Sequence, residues 1–312
     1  MLQLASSAGA VAGVLALGAA LHNRNPGIRP PKLARIPDHR VTRAPGLPVL
    51  AAARGPDPAS NVRRAIEAIG GLSAFVSKGE RVVIKPNAGW NRLPEQAANT
   101  NPDVVAEVVR LAIAAGAAKV WVTDYPVNNP ERCFERSGIR QAVAKAGGDL
   151  VLPDKGSFRD VEVGGKILRI AEVLYPIVEA DRVINVPVVK QHGLSLATMA
   201  MKNWYGVIGG HRVRLHQNIH RAIVELAAMV KPTLTILDAT RVLMANGPSG
   251  GSLDDVKQMD TVIAGVDEVA LDAYGATLLG LDPQDVGFIV EGEKQGLGKA
   301  DYKSLTTLEV PA

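Results

Sequence analysis

Four of the six histidines in this 312-residue sequence fall between residues 192 and 220, in the stretch HGLSLATMAMKNWYGVIGGHRVRLHQNIH. They are His192, His211, His216 and His220, and Lys190, Lys202 and Asn203 lie among the same small and apolar neighbours. Imidazole ligates metals and carries protons near neutral pH. Charged and amide groups set among apolar residues cost free energy unless they are paired or bind something. The cluster therefore points to chemistry, or to the grip of a polar ligand.

Two ligand classes follow from it. His216 and His220 form H-x-x-x-H, and on a helix that spacing puts both rings on one face, as ligation needs. With His192 or His211, and a carboxylate such as Asp238 or Asp124, they would complete a mixed site suited to a divalent transition metal: zinc, iron or manganese. The lysines argue for an anion instead: a phosphate, a carboxylate or an anionic cofactor.

The elements that would position these groups read as a β/α alternation beginning near residue 60. Apolar runs such as RVVIKPN, KVWVTDY, DRVINVPVVKQHG, LTILDATRVLM and DTVIAGVD alternate with helical segments. Asn-Pro pairs open two of those segments, NPDVVAEVVRLAIAAGA and NPERCFERSG, as cap and first-turn residues do. VEVGGKILRI reads as a hairpin. Strands apolar on both faces predict an α/β fold, with a mostly parallel sheet, helices on both faces and Rossmann-like layering.

Each of the five runs finishes in polar groups: Lys85 and Asn87, then Asp124, then Lys190 and His192, then Asp238, then Asp267. Open α/β sheets bind ligands outside the carboxyl ends of their strands. Parallel strands would bring all five ends to one rim. The expected site has His192, Lys190 and Lys202 as catalytic groups. Lys85, Asn87, Asn203, Asp124 and Asp267 hold the ligand, and His216, His220 and Asp238 form the metal set.

Composition narrows the function classes. Apolar residues make up 47% and charged residues 21%, which excludes a disordered chain. Net charge is +4, and much of the excess sits in Arg24, Arg29, Lys32, Arg35, Arg40, Arg43 and Arg54. The body is close to neutral, so a nucleic-acid partner is not expected. The lone cysteine, Cys133, excludes an internal disulfide and a cysteine-ligated iron–sulfur cluster, and reads as a small buried helix residue. The loops NAGWN and NGPSGG follow strands but match no phosphate-binding fingerprint, and no G-x-S-x-G elbow occurs.

Residues 1–21, MLQLASSAGAVAGVLALGAAL, are uncharged and rich in Ala, Gly and Leu, and read as a signal or anchor segment. LQLASSAGAVAG resembles the part of a twin-arginine signal that follows the arginine pair. Export to the periplasm is the expectation, with the true start upstream or the pair lost. The alternative is an uncleaved anchor with a cytoplasmic body. Membrane contact is expected only through residues 1–21. Residues 22–60 read as a Pro/Arg-rich linker, and residues 61–312 as a single α/β domain.

The ordered segments VVIKPN, VPVVKQHG, MKNWYG, LTILDAT and DEVALDAYGATLLG resemble the family called domain of unknown function 362, over about residues 80 to 285. Its Lys-x-His-Gly, Met-Lys-Asn and Asp-x-x-Ala-x-Asp patterns fall on Lys190, His192 and Gly193, on Met201, Lys202 and Asn203, and on Asp267, Ala270 and Asp272. Some relatives carry a fused ferredoxin-type iron–sulfur module, absent here, and some look like twin-arginine export substrates. The sequence thus predicts an enzyme or cofactor-handling protein acting on a small anionic ligand. The alternative is a non-catalytic periplasmic binding protein, or an assembly protein for a redox enzyme.

Overall fold

The computed structural model describes residues 33–311; the expected signal or anchor segment and the start of the expected linker lie outside the described residues. One sheet of ten strands organises the chain. In chain order they are β1 (Leu50–Arg54), β2 (Arg81–Pro86), β3 (Lys119–Val122), β4 (Asp149–Leu150), β7 (Arg182–Val186), β8 (Val188–His192), β9 (Leu196–Thr198), β10 (Leu234–Leu243), β11 (Val256–Gly265) and β12 (Thr307–Val310). A separate antiparallel hairpin of β5 (Phe158–Glu162) and β6 (Ile170–Leu174) forms where VEVGGKILRI predicts one.

The main order is β12-β1-β11-β10-β7-β2-β3-β4, and β8 pairs with both β10 and β9. β10, β7, β2, β3 and β4 run parallel, as does β8 beside β10. The fold is therefore α/β with a mostly parallel sheet, as the alternation predicts. Successive strand residues serve opposite cores, since side chains alternate across a sheet. Val82 and Ile84 join one cluster with helices Pro58–Ala68, Pro102–Ala114 and Ile139–Ala146. Val83 and Val183 join the other, with helices Ile219–Val230, Glu268–Leu278 and Gly287–Lys294.

The predicted caps are in place. Asn101 Oδ1 accepts from Asp103 N at 3.0 Å, with Pro102 in the first turn. Asn129 Oδ1 accepts from Arg132 N at 3.1 Å, ahead of Pro130. No helix among the described residues is long and apolar enough to cross a membrane.

Two expectations fail. β11 runs antiparallel to β10, so its carboxyl end lies away from the common rim. The expected linker is also partly built into the domain. Leu50–Arg54 is β1, between β11 and β12, with its first four residues buried. The compact unit accordingly begins at Ala34 rather than residue 61. LAAAR carries no β-branched residue and no alternation, so nothing local marks it as a strand; burial between two partners holds it extended.

Candidate functional site

A cavity of about 610 Å³ opens at the carboxyl ends of the parallel strands. Its floor takes Lys85 and Asn87 from the end of β2, Asp124 from just beyond β3, and Lys190 and His192 from β8. The 3-10 segments Met201–Val207 and Arg212–Asn218 close one side with Lys202, Asn203, Tyr205, Gly206, Arg212 and His216. Two positions apart on one strand, Lys190 and His192 share a face. Asp272 secures the first 3-10 segment, accepting from Ala200 N at 2.6 Å and Met201 N at 3.1 Å.

The cations differ in what they have left to offer. Lys85 Nζ lies 2.7 Å from Asp124 Oδ1, 2.9 Å from Asn203 Oδ1 and 2.9 Å from Pro86 O. Two of its donors go to neutral oxygens and its charge is paired with Asp124, which makes it a positioning group. Burial pulls its proton affinity down and Asp124 opposes that pull. Lys190 Nζ gives one bond to Asn87 Oδ1 at 3.2 Å and one to Ala98 O at 2.5 Å, leaving one donor. Burial, then neighbouring Lys202, lowers its pKa to about 7. Lys202 has no hydrogen-bond acceptor among the described residues; its Nζ sits 4.7 Å from the Tyr205 ring centroid. Burial, then Arg212, lowers its pKa to about 8.

Arg212 gives its guanidinium to the carbonyls of Tyr125, Tyr205 and Pro126 at 2.7, 3.1 and 2.7 Å, and stacks 4.5 Å above the Tyr125 ring. It makes no ion pair among the described residues, and Asp124, already paired with Lys85, is the carboxylate that offsets its charge from a distance. Four cations thus line the cavity against one carboxylate, Asp124. The buried Thr198 hydroxyl also lines it, without a hydrogen-bond partner.

The two cavity histidines are fixed in opposite tautomers. His192 Nδ1 accepts from Leu194 N at 3.1 Å and Ser195 N at 3.3 Å. Its neutral ring therefore carries the proton on Nε2. Burial, then Lys202 and Lys190, drives its pKa down to about 3. His216 Nδ1 lies 3.1 Å from Val213 O, which can only accept, so its Nε2 keeps the lone pair.

Behind the floor runs a chain of amides with one direction. Lys190 donates to Asn87, and Asn87 Nδ2 donates to Asn203 Oδ1 at 3.1 Å. Asn203 Nδ2 donates to Asn185 Oδ1 at 2.8 Å, and Asn185 Nδ2 donates to Glu268 Oε1 at 2.6 Å. Glu268 also accepts from Trp204 Nε1 at 2.9 Å and Thr235 Oγ1 at 3.1 Å, and burial raises its pKa to about 7. Glu268, the Ala200 carbonyl at Asn185 Nδ2 and Lys85 at Asn203 Oδ1 orient the amides alike, with each oxygen turned toward the lysine end of the row. Gly206 makes the floor fit: a Cβ there would collide with Asp124 Oδ1 and Lys85 Nζ.

The structure brings together Lys85, Asn87, Asp124, Lys190, His192, Lys202, Asn203 and His216, and sets three expected residues apart. Asp267, beyond the reversed β11, caps helix Glu268–Leu278 by accepting from Ala270 N at 2.9 Å and Lys299 N at 3.0 Å. Asp238 is buried and spent on Asn101 N at 2.7 Å and on Thr240 N and Oγ1 at 2.9 and 2.7 Å. His220 stacks on Phe288, away from the cavity lining. The metal set of His216, His220 and Asp238 is therefore not assembled. Among the described residues, no three His, Cys, Asp or Glu side chains group closely enough to hold an ion. The physical reason is that His216 lies in a 3-10 segment and His220 in the following α-helix, so four residues do not return to one face.

Sequence reasoning missed Glu268, Asn185, Gly206 and Arg212. An Asn inside the apolar run VINV was the available signal for Asn185. Cys133 is buried in its helix, and burial raises its pKa to about 11, as expected of an inert thiol.

A thylakoid-associated protein of Synechocystis sp. is 29% identical over 254 residues, covering 76% of this chain and 75% of that protein. Among solved structures, the lactate racemase apoprotein of Thermoanaerobacterium thermosaccharolyticum aligns at 14% identity with a TM-score of 0.41, over 78% of this chain and 58% of that one. A Thermotoga maritima protein aligns at 11% and 0.38, over 77% of this chain and 60% of that one. The chain thus spans about three fifths of each solved structure. The profile of the family described as Domain of unknown function (DUF362) matches residues 82–277, more than half of the sequence, and the chain belongs to that family.

Proposed function

We propose that this protein binds a small organic anion in the cavity and moves a proton on it, as an enzyme or a cofactor-handling protein. The observation that carries the reading is the charge balance: three buried lysines and the half-buried Arg212 face one carboxylate, and Lys202 has no acceptor among the described residues. Buried charge of one sign is costly unless a partner arrives. Lys202 supplies charge and three free donors, and His192 offers a fixed Nε2–H. Lys190, with a pKa of about 7, carries the mobile proton. The His216 Nε2 lone pair is a second proton acceptor on the same wall.

Titration calorimetry with inorganic phosphate, acetate and larger organic acids tests this. At least one anion should bind, and Lys202→Met should weaken it tenfold or more, on the order of 1.5–3 kcal/mol for hydrogen bonds to a charged group. A wild-type protein that binds no anion at millimolar concentration refutes the reading.

The same proposal has the protein exported from the cytoplasm through residues 1–21, the alternative being an uncleaved anchor with a cytoplasmic body. The uncharged apolar composition of that segment supports this, and the thylakoid association of the Synechocystis relative agrees with a membrane-adjacent setting. Fractionation of cells expressing the chain with its native upstream region tests it, and recovery only in the cytoplasm overturns it.

A further inference from the structure

We infer that the ligand is an amphiphilic anion, with a charged head on the lysine floor and an apolar body that leaves through the cavity mouth. The inference rests on the anion-binding reading above and adds the class of molecule. Three large apolar side chains line the same cavity while standing open to solvent: Val127 at 61%, Leu194 at 53% and Val213 at 76% exposure. Scattered single exposed apolar residues are ordinary, but several around one concave site mark a contact surface. Trp90, Tyr125, Pro126 and Tyr205 continue the apolar wall inward toward Lys202 and Lys190.

Volume agrees with this division. A space of about 610 Å³ far exceeds what an inorganic anion fills. It falls within the roughly 300–1,000 Å³ of pockets that enclose drug-sized organic ligands. The free donors, on Lys190 and His192 at the floor and on Lys202 in the side wall, are all buried. The mouth offers Val127, Leu194 and Val213, which would match a hydrocarbon and repay nothing to a second charged group.

The test is a homologous series. Methyl, butyl and octyl phosphate, and the matching alkanoates, are titrated into the wild-type protein and into Leu194→Ser/Val213→Ser. Comparing the two series separates a phosphate head from a carboxylate head. In the wild type each buried methylene should tighten binding about fourfold, the equivalent of about 0.8 kcal/mol, until the chain clears the rim. The double variant should lose more affinity for the octyl compound than for the methyl one. Equal affinity for methyl, butyl and octyl compounds overturns the inference and leaves anion binding intact. Failure of every member of both series to bind overturns the inference and the anion-binding reading together.

Discussion

Replacing Lys202 with methionine should make the empty protein more stable while making it worse at holding an anion. Burial, then Arg212, lowers the folded-state pKa of Lys202 from 10.5 to about 8. The folded chain thus binds fewer protons than the unfolded one between those values, and stability rises with pH across that window. Below pH 8 the cost of keeping the charge is fully present; above 10.5 it is gone. At about 1.4 kcal/mol for each tenfold change in proton affinity, the cost is roughly 3 kcal/mol at pH 7 and under about 1 kcal/mol at pH 10. The lost contact with the Tyr205 ring, worth about 0.5–2 kcal/mol, offsets part of the gain. Lys202→Met should therefore raise the stability of the ligand-free protein by about 1–3 kcal/mol at pH 7, and the gain should vanish by pH 10. Urea unfolding of both proteins at the two pH values measures this. A variant less stable than the wild type at pH 7, or a gain that persists unchanged at pH 10, would refute the claim that this ammonium is stored at a folding cost.

Three further outcomes are expected. Gly206→Ala should destabilise by about 1–3 kcal/mol and abolish anion binding, because the added methyl collides with the Lys85–Asp124 pair; thermal unfolding and calorimetry read the two effects. Asp267→Ala should cost about 1 kcal/mol through the lost helix cap and leave anion affinity unchanged, and a large loss of binding would return Asp267 to the site. His192 should stay neutral through the whole range above pH 5, its pKa being driven down to about 3, so an NMR titration of its ring should show no step near 6.5.

The strand ends were legible because a buried parallel strand must be apolar until it leaves the sheet, and the polar residue that follows marks the rim. Lys85, Asp124 and Lys190 follow that rule, and the Lys-x-His spacing put His192 on the same face. Asp267 obeys the same local rule on a strand of opposite direction. Direction is decided by pairing with β10 across residues 244–255, where no helix intervenes to carry a parallel crossover, and that missing helix was the available signal. The H-x-x-x-H spacing misled for a related reason: its meaning depends on an α-helical turn that the chain does not make at His216. Glu268 opens helix Glu268–Leu278, where an acid is ordinary first-turn charge, so nothing local marks it as buried behind the site.

The one-way run of amides from Glu268 to Lys190 has a consequence for inheritance. Asn185 is buried in β7, yet its two ends hold Glu268 and Asn203, so turning it over would require Asn203 and Asn87 to turn as well. Lys85 Nζ and the Ala200 carbonyl also pin Asn203 and Asn185 this way round, so the row keeps its polarity when one member is replaced, and the substitution leaves that member's two neighbours each short of a partner.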